Sequence, residues 1–429
     1  MNPQAEELNK TIEWQNEEVL HLLSNRGKRL FFPSRGILSQ TAEARKAEIN
    51  ATIGIAKCEG NRPLHLNSVK KHTSLEPEEL FPYAPSWGLP ELRDRWAGLL
   101  LEKNPSLEKK PISRPIVTAG ITGGLSAMAD LFLDKGDLLI VPDMFWGNYS
   151  LIFREQKECE MRTFPLFLDG RFNAEGFGKA VESSGKKNVA IILNFPNNPT
   201  GYSPTAEEAD RLVQGLAKAS RVVKRMFVMV DDAYFGLTYE EGLMKESIFT
   251  RLCDLSENIL AVKLDGATKE EYAWGFRVGF ITFGIKKGSQ KLFEALESKA
   301  CGAIRAANSN ASRASQSLLL RAFKEEGYRK EKDENFQLLK ERCQLVRRIL
   351  EENSKYGEEF EALPFNSGYF MCVRLNNRNA FEVRKLLLEK YGTGVIAWND
   401  TDIRIAFSSC RKGDLPKVFE NLYSACREA

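Results

Sequence analysis

The chain has 429 residues, 43% hydrophobic and 28% charged, with 61 basic against 58 acidic side chains and a net charge of +3. That length exceeds what one hydrophobic core usually supports, so a large α/β domain with a smaller partner is expected, and the near-balanced charge argues against a nucleic-acid or anionic-membrane partner. The three histidines, His21, His65 and His72, all fall in the first sixth of the chain, which excludes a Ser-His-Asp hydrolase or a His-rich metal site and leaves the chemistry to Lys, Asp, Tyr and Arg.

Residues 2–25 read as one amphipathic helix, with Leu8, Ile12, Val19 and Leu22 at helical spacing. The acidic, polar N-terminus does not read as a secretory signal. Residues 26–65 carry many Gly, Pro and Ser and read as an extended arm. From about 66 the pattern alternates between short apolar runs and longer amphipathic ones. The runs 116–118, 138–141, 189–193, 227–230, 259–262 and 278–282 read as buried strands, and stretches such as 205–224 as helices between them. This alternation predicts an α/β fold, a mostly parallel sheet flanked by helices. Long charged helices follow over 311–354, then strands near 369–374 and 402–407 and a closing helix, a smaller α+β unit. The expected division is an arm at 1–65 packing with the small domain, a large domain at 66–310 and a small domain at 311–429. Eight cysteines are scattered singly with no CxxC pair, which fits reduced thiols in the cytoplasm.

In parallel α/β sheets ligands sit beyond the carboxyl ends of the strands, so the residues after each run carry the functional reading. After 116–118 comes Ala119-Gly120-Ile121-Thr122-Gly123-Gly124. It is either plain packing or an anion site at a helix N-terminus. After 138–141 comes Trp146, a core aromatic or a stacking face for a flat ring. After 189–193 comes Asn194-Phe195-Pro196-Asn197-Asn198-Pro199-Thr200-Gly201, which places an Asn amide at a strand end. Asp231, after 227–230, is either a helix cap or a buried acid awaiting a cation. After 259–262 comes Asp265-Gly266-Ala267-Thr268-Lys269, with Arg277 eight residues further on, a setting that suits a buried amine.

The segments Asn198-Pro199-Thr200-Gly201, Asp231-Asp232-Ala233-Tyr234 and Lys269 with Arg277, in this order, resemble the class I/II aminotransferases, which are fold-type I pyridoxal-phosphate enzymes. The resemblance extends upstream to Asn50–Gly54 and Tyr83–Leu89. Downstream it takes in Ile304-Arg305, Ser309-Asn310, Ser367–Phe370 and Arg404–Phe407, so that it spans roughly 50–410. It implies that Lys269 carries pyridoxal 5'-phosphate as a Schiff base and moves the substrate proton as a neutral amine. It implies further that Asp231 faces the ring nitrogen, that Asn198 and Tyr234 face the phenolic oxygen, and that Trp146 stacks on the ring. The phosphate then falls to Gly120, Ile121, Thr122 and Arg277, with Tyr83 lent by a second subunit of a homodimer. Arg404 is the implied holder of the substrate α-carboxylate, with Gly54 leaving room for it. One departure stands out: the family's usual serine three residues before the lysine is here Gly266, and Thr268 is the candidate to supply the missing hydroxyl.

Arg305 resembles the arginine that aspartate aminotransferases lend across the dimer to a second substrate carboxylate. A local salt-bridge partner is the alternative, and aromatic substrates stay open. The expected activity is transfer of an amino group between an L-amino acid, aspartate, glutamate or aromatic, and a 2-oxo acid. No metal site, nucleic acid or membrane is expected. The rivals on the same scaffold are a C–S β-lyase and, more remotely, a non-catalytic cofactor-binding regulator, for which the residues before the matched region are too few to form a DNA-binding module.

Overall fold

The computed structural model describes residues 1–33 and 36–429. The N-terminal stretch is three short helices, not one. Helix α1 (Pro3–Gln15) starts on the Asn2 cap, α2 (Glu17–Leu22) follows, and α3 (Asn25–Arg29) starts on the Ser24 cap. The break is Asn16, which is extended, donates its backbone N–H to Ile12 O and accepts from Val19 N with its side chain. An Asn side chain that satisfies the free N–H groups of a new helix stops the preceding one.

Helix α4 (Ile37–Glu43) and the short strand β1 (Ile49–Asn50) lead into the body. There follow α5 (Pro90–Lys103), β2 (Ile116–Ala119), α6 (Gly120–Phe132), β3 (Leu138–Pro142), β4 (Glu160–Phe164), β5 (Asn188–Asn194), α7 (Ala206–Ala219), β6 (Arg225–Asp231), β7 (Ile259–Gly266), β8 (Val278–Gly284) and α8 (Gln290–Asn308). Strands β2 to β8 form one seven-stranded sheet in the order β2-β8-β7-β6-β5-β3-β4. It is parallel from β7 through β4, and β8 runs antiparallel to both its neighbours. The alternation of side chains divides the strands between two cores. Leu139, Ile192, Met229 and Leu264 face α6 and α8, whereas Ile140, Ile191 and Val228 face α7. The expected mostly parallel sheet between helices is thus the observed one. Strand β4 escaped the sequence reading because it is an edge strand with Glu160 and Thr163 exposed, so its apolar signal is weak. Helix α7 is shorter than the expected 205–224. It begins on the Thr205–Glu208 capping box and ends at Ala219, where the chain turns into β6.

The remaining elements are α9 (Arg313–Ala322), α10 (Tyr328–Glu352), β9 (Phe360–Ala362), β10 (Met371–Leu375), α11 (Ala380–Tyr391), β11 (Thr393–Gly394), β12 (Ile396–Ala397), β13 (Asp402–Ile405) and α12 (Leu415–Glu428). An antiparallel sheet takes the order β9-β10-β13-β12. The segment 37–50 lies against it: β1 pairs in parallel with β11, and the Gln40 side chain exchanges hydrogen bonds with Ala397. Further back, Arg29 of α3 donates to the Arg154 and Glu155 carbonyls beside the large sheet. No helix among the described residues is long and apolar enough to cross a membrane.

Candidate active site

The carboxyl ends of the parallel strands converge on a small pocket of about 130 Å³. Strand β6 delivers Asp231 to its floor. The register Asn194↔Asp231 sets β5 beside it, and Asn194 Nδ2 donates to the Asp231 carbonyl at 2.8 Å. The Asp231 carboxylate accepts from Tyr149 OH at 2.5 Å and from Ala233 N at 3.1 Å. Burial pushes its pKa up to about 6 against these two donors. Among the described residues no cation pairs with it. Sequence reasoning assigned no role to Tyr149 or Asn194, although Tyr149 stands three residues after Trp146 and Asn194 four before Asn198.

Lys269 lies in the loop between β7 and β8. Its Nζ donates to Gly54 O at 3.1 Å and sits 5.0 Å from the Tyr234 ring centre and 5.7 Å from that of Tyr369. Its backbone is held from two sides. Tyr369 OH donates to its carbonyl at 2.8 Å, while the next two residues, Glu270 and Glu271, are clamped by Lys103, Lys332 and Tyr328. Burial, then the Arg404 and Arg277 guanidiniums, brings the amine down to about pKa 7. The neutral amine expected from the sequence therefore has a physical source.

Arg277 takes a left-handed backbone, with φ of 54°, and its Nη1 donates to Trp274 O at 3.5 Å. The guanidinium lies over the start of α6. A Cβ built on Gly120, whose φ is +71°, would stand 2.3 Å from Arg277 Nη2, so only glycine admits this approach. Ile121 and Thr122 line the same pocket with Trp146, Asn198, Tyr234 and Thr268. A helix N-terminus facing an arginine with no carboxylate partner is an anion site. Gly266 is fixed by geometry: a Cβ there would meet Val278 O at 2.6 Å and Gly279 Cα at 2.9 Å. A serine at this position would require β7 and β8 to separate.

Arg404, from β13, adjoins the pocket through Asn198, whose Oδ1 accepts from Nη1 at 3.2 Å; Nη2 donates to Thr52 O at 3.0 Å. The guanidinium lies 4.2 Å from the Phe370 ring centre and 5.8 Å from that of Trp398. Its buried Nε has no hydrogen-bond partner among the described residues. A Cβ on Gly54 would reach 3.6 Å from Lys269 Nζ and 3.3 Å from Phe370, which places that glycine between the amine and the Arg404 stack. Tyr83 and Arg305 do not line the pocket of this chain: Tyr83 is 89% exposed, and Arg305 is exposed in the last turn of α8.

Three titratable groups, Asp231, Lys269 and Arg277, thus line one pocket and Arg404 adjoins it through Asn198, with no salt bridge to any of the four among the described residues. A molecule with a protonated ring nitrogen, an aldehyde and a phosphate complements the first three, and a substrate carboxylate complements the fourth.

The model of the family aminotransferase class I and II matches residues 49–422. The aspartate aminotransferase of Bacillus subtilis is 28% identical over 270 residues, covering 60% of this chain and 62% of that protein. The probable aspartate aminotransferase of Methanocaldococcus jannaschii is 27% identical over 230 residues, covering 53% of this chain and 56% of that protein. These alignments thus span little more than half of each relative. A crystal structure of an aminotransferase from Anaerococcus prevotii superposes with a TM-score of 0.81 at 24% identity, over 92% of this chain and 98% of that one.

Proposed function

The chain belongs to the aminotransferase class I and II family, and from that premise we propose that it is a pyridoxal-phosphate enzyme moving an amino group between an L-amino acid and a 2-oxo acid. The observation that carries the reading is the set of uncompensated charges around Lys269. When bound, pyridoxal phosphate supplies an aldehyde that condenses with amines and a ring that takes up the electron pair left at the substrate α-carbon. The chain's own residues do the rest. Asp231, oriented by Tyr149 and Ala233 N, holds a proton at the ring nitrogen. The α6 amides, Thr122, Thr268 and Arg277 hold the phosphate, and Trp146 covers the ring face. Tyr234 and Asn198 donate to the phenolic oxygen. Arg404, with the Phe370 and Trp398 rings beside its guanidinium, grips the α-carboxylate in a bidentate fork. Lys269 Nζ takes the α-proton and redelivers it, which requires the neutral amine.

In the same reading the protein is a cytoplasmic homodimer. Its eight unpaired cysteines suit a reducing compartment. The exposed Tyr83 and Arg305 reach the phosphate and the substrate side chain of a second copy, and the chain divides into the arm 1–65, a cofactor domain 66–310 and a small domain 311–429. Aspartate or glutamate is the preferred substrate class. Support comes from Arg305 and from the aspartate aminotransferases among the relatives, although a probable N-acetyl-LL-diaminopimelate aminotransferase also matches, at 26% identity.

The half-reaction decides the chemistry. An amino-acid donor should bleach the aldehyde absorbance, and 2-oxoglutarate should restore it. Release of pyruvate and ammonia without an oxo acid would establish a β-lyase instead. For the substrate, Arg305→Ala should lower kcat/KM for aspartate at least tenfold more than for phenylalanine, the scale of one lost charge-assisted hydrogen bond. Equal losses would remove Arg305 from the dicarboxylate role.

A further inference from the structure

Behind Asp231, on the face of the large sheet turned away from α6 and α8, lies a second ionic cluster that the roles above do not use. Along β7 the side chains of Ala261, Lys263 and Asp265 share that face. Lys263 is 0% exposed. Its ammonium bonds Asp232 and lies 3.1 Å from Asp265 Oδ2. Asp232 also accepts from Ser247 Oγ at 2.5 Å, and Asp265 accepts from Trp96 Nε1 at 3.1 Å. The Phe235 ring closes the cluster, 4.6 Å from Lys263 Nζ. Across that ring the next charged groups are Lys103 and Glu270, which pair with each other at 2.7 Å. On the pocket side, the groups facing Asp231 are Tyr149, Tyr234 and Lys269.

The cluster is not neutral. Two carboxylates share one ammonium, and Asp232 is the chain neighbour of Asp231. Buried ion pairs contribute little net stability, and an unbalanced one costs more, so packing alone is a poor reason to place these groups there. A cation on the far side of Asp231 offsets the excess.

We propose that the Asp232–Lys263–Asp265 triad is a positioning group for the cofactor: its one excess negative charge, set directly behind Asp231, strengthens the hold of the pocket on a protonated ring and on a protonated nitrogen at Lys269. The inference rests on the pyridoxal-phosphate reading. Burial raises Asp232 and the Lys263 ammonium draws it back down, while Ser247 and Trp96 fix where the two carboxylates sit. The triad touches neither ring nor substrate and acts through its charge alone.

The test is a pH titration of the visible absorbance of the purified holoenzyme, which reports protonation at the Lys269 nitrogen. Asp232→Asn removes the anion beside Asp231 and keeps its shape. Its midpoint should fall by about half a pH unit, the order of one screened charge acting from the far face of the sheet. Asp265→Asn leaves the Lys263–Asp232 pair in place and should shift the midpoint the same way by less, which also serves if the first variant does not fold. Ser247→Ala keeps all three charges and should leave the midpoint in place. Midpoints unchanged in the Asn variants, or moved equally by Ser247→Ala, would overturn the proposal. Because every variant must first show the yellow, lysine-bound chromophore, loss of that colour in the unmodified protein would refute the cofactor reading and is told apart from a failure of the triad.

Discussion

Among single residues, Lys269 has the largest consequence, because an amine that is a poor ion in the folded protein costs stability when it is charged. Its folded pKa, about 7, lies below the ordinary 10.5. Between those values the unfolded chain binds more protons than the folded one, so this group makes stability rise with pH from about 7 to 10.5, and its penalty is fully present below 7. Asp231 has the opposite sign. Its folded pKa is raised from 3.8 to about 6, so its contribution is present at low pH and is lost as pH rises through that interval. The cofactor-free Lys269→Met variant should therefore be more stable than the cofactor-free parent at pH 6.5, by roughly 1–3 kcal/mol after allowance for partial exposure, and the gain should vanish by pH 10. Urea melts at the two pH values measure this, and a gain of equal size at both would refute the charge penalty. Lys269, Asp231, Arg277 and Arg404 were legible in the sequence because each follows an apolar run or a turn at a spacing that a family resemblance could anchor. Tyr149 was not, since a tyrosine among aromatics reads as core until its hydroxyl is seen on Asp231.

At the scale of elements, the lysine loop is tied to α10 by a buried network. Glu270 bonds Lys103 and lies 3.2 Å from Lys332 Nζ, which also bonds Glu271 at 2.8 Å, and Glu271 accepts from Tyr328 at the start of α10. Burial alone would raise Glu270, but the Lys103 and Lys332 ammoniums hold it down to about 2. That stabilisation is present above the ordinary carboxylate pKa and is lost as pH falls toward 2. Lys332→Met leaves two buried carboxylates short of a cation and should cost about 3 kcal/mol at pH 7, read as a lower Tm. An unchanged Tm would mean the network contributes nothing. None of this was visible in Lys269-Glu270-Glu271 as a string, because adjacent acids ordinarily read as a solvated face. The partners lie some 60 and 170 residues away in the chain. The strands were legible for the opposite reason. Buried parallel strands are continuous apolar runs, and the reading failed where that signal weakens or the element is short: at the edge strand β4, at β1, β9, β11 and β12, at α4 within the expected arm, and at the Asn16 break between α1 and α2.

At the scale of the whole molecule, the large sheet supplies the proposed cofactor pocket and the segment 371–405 supplies Arg404, so the proposed site draws on the middle and the C-terminal part of the chain. It also has two expected contributors, Tyr83 and Arg305, on the open surface, a placement that follows if a second copy receives them. Sequence resemblance could name those two residues, but no single-chain signal could say where they act. A covalent bond between Lys269 and pyridoxal phosphate underlies the whole proposal, and reducing the purified yellow protein with borohydride and mapping the labelled peptide by mass reads it out. One stable pyridoxyl adduct is expected, on Lys269, with no label in Lys269→Ala. Reduction that leaves Lys269 unmodified, or that labels another lysine in its place, would contradict it.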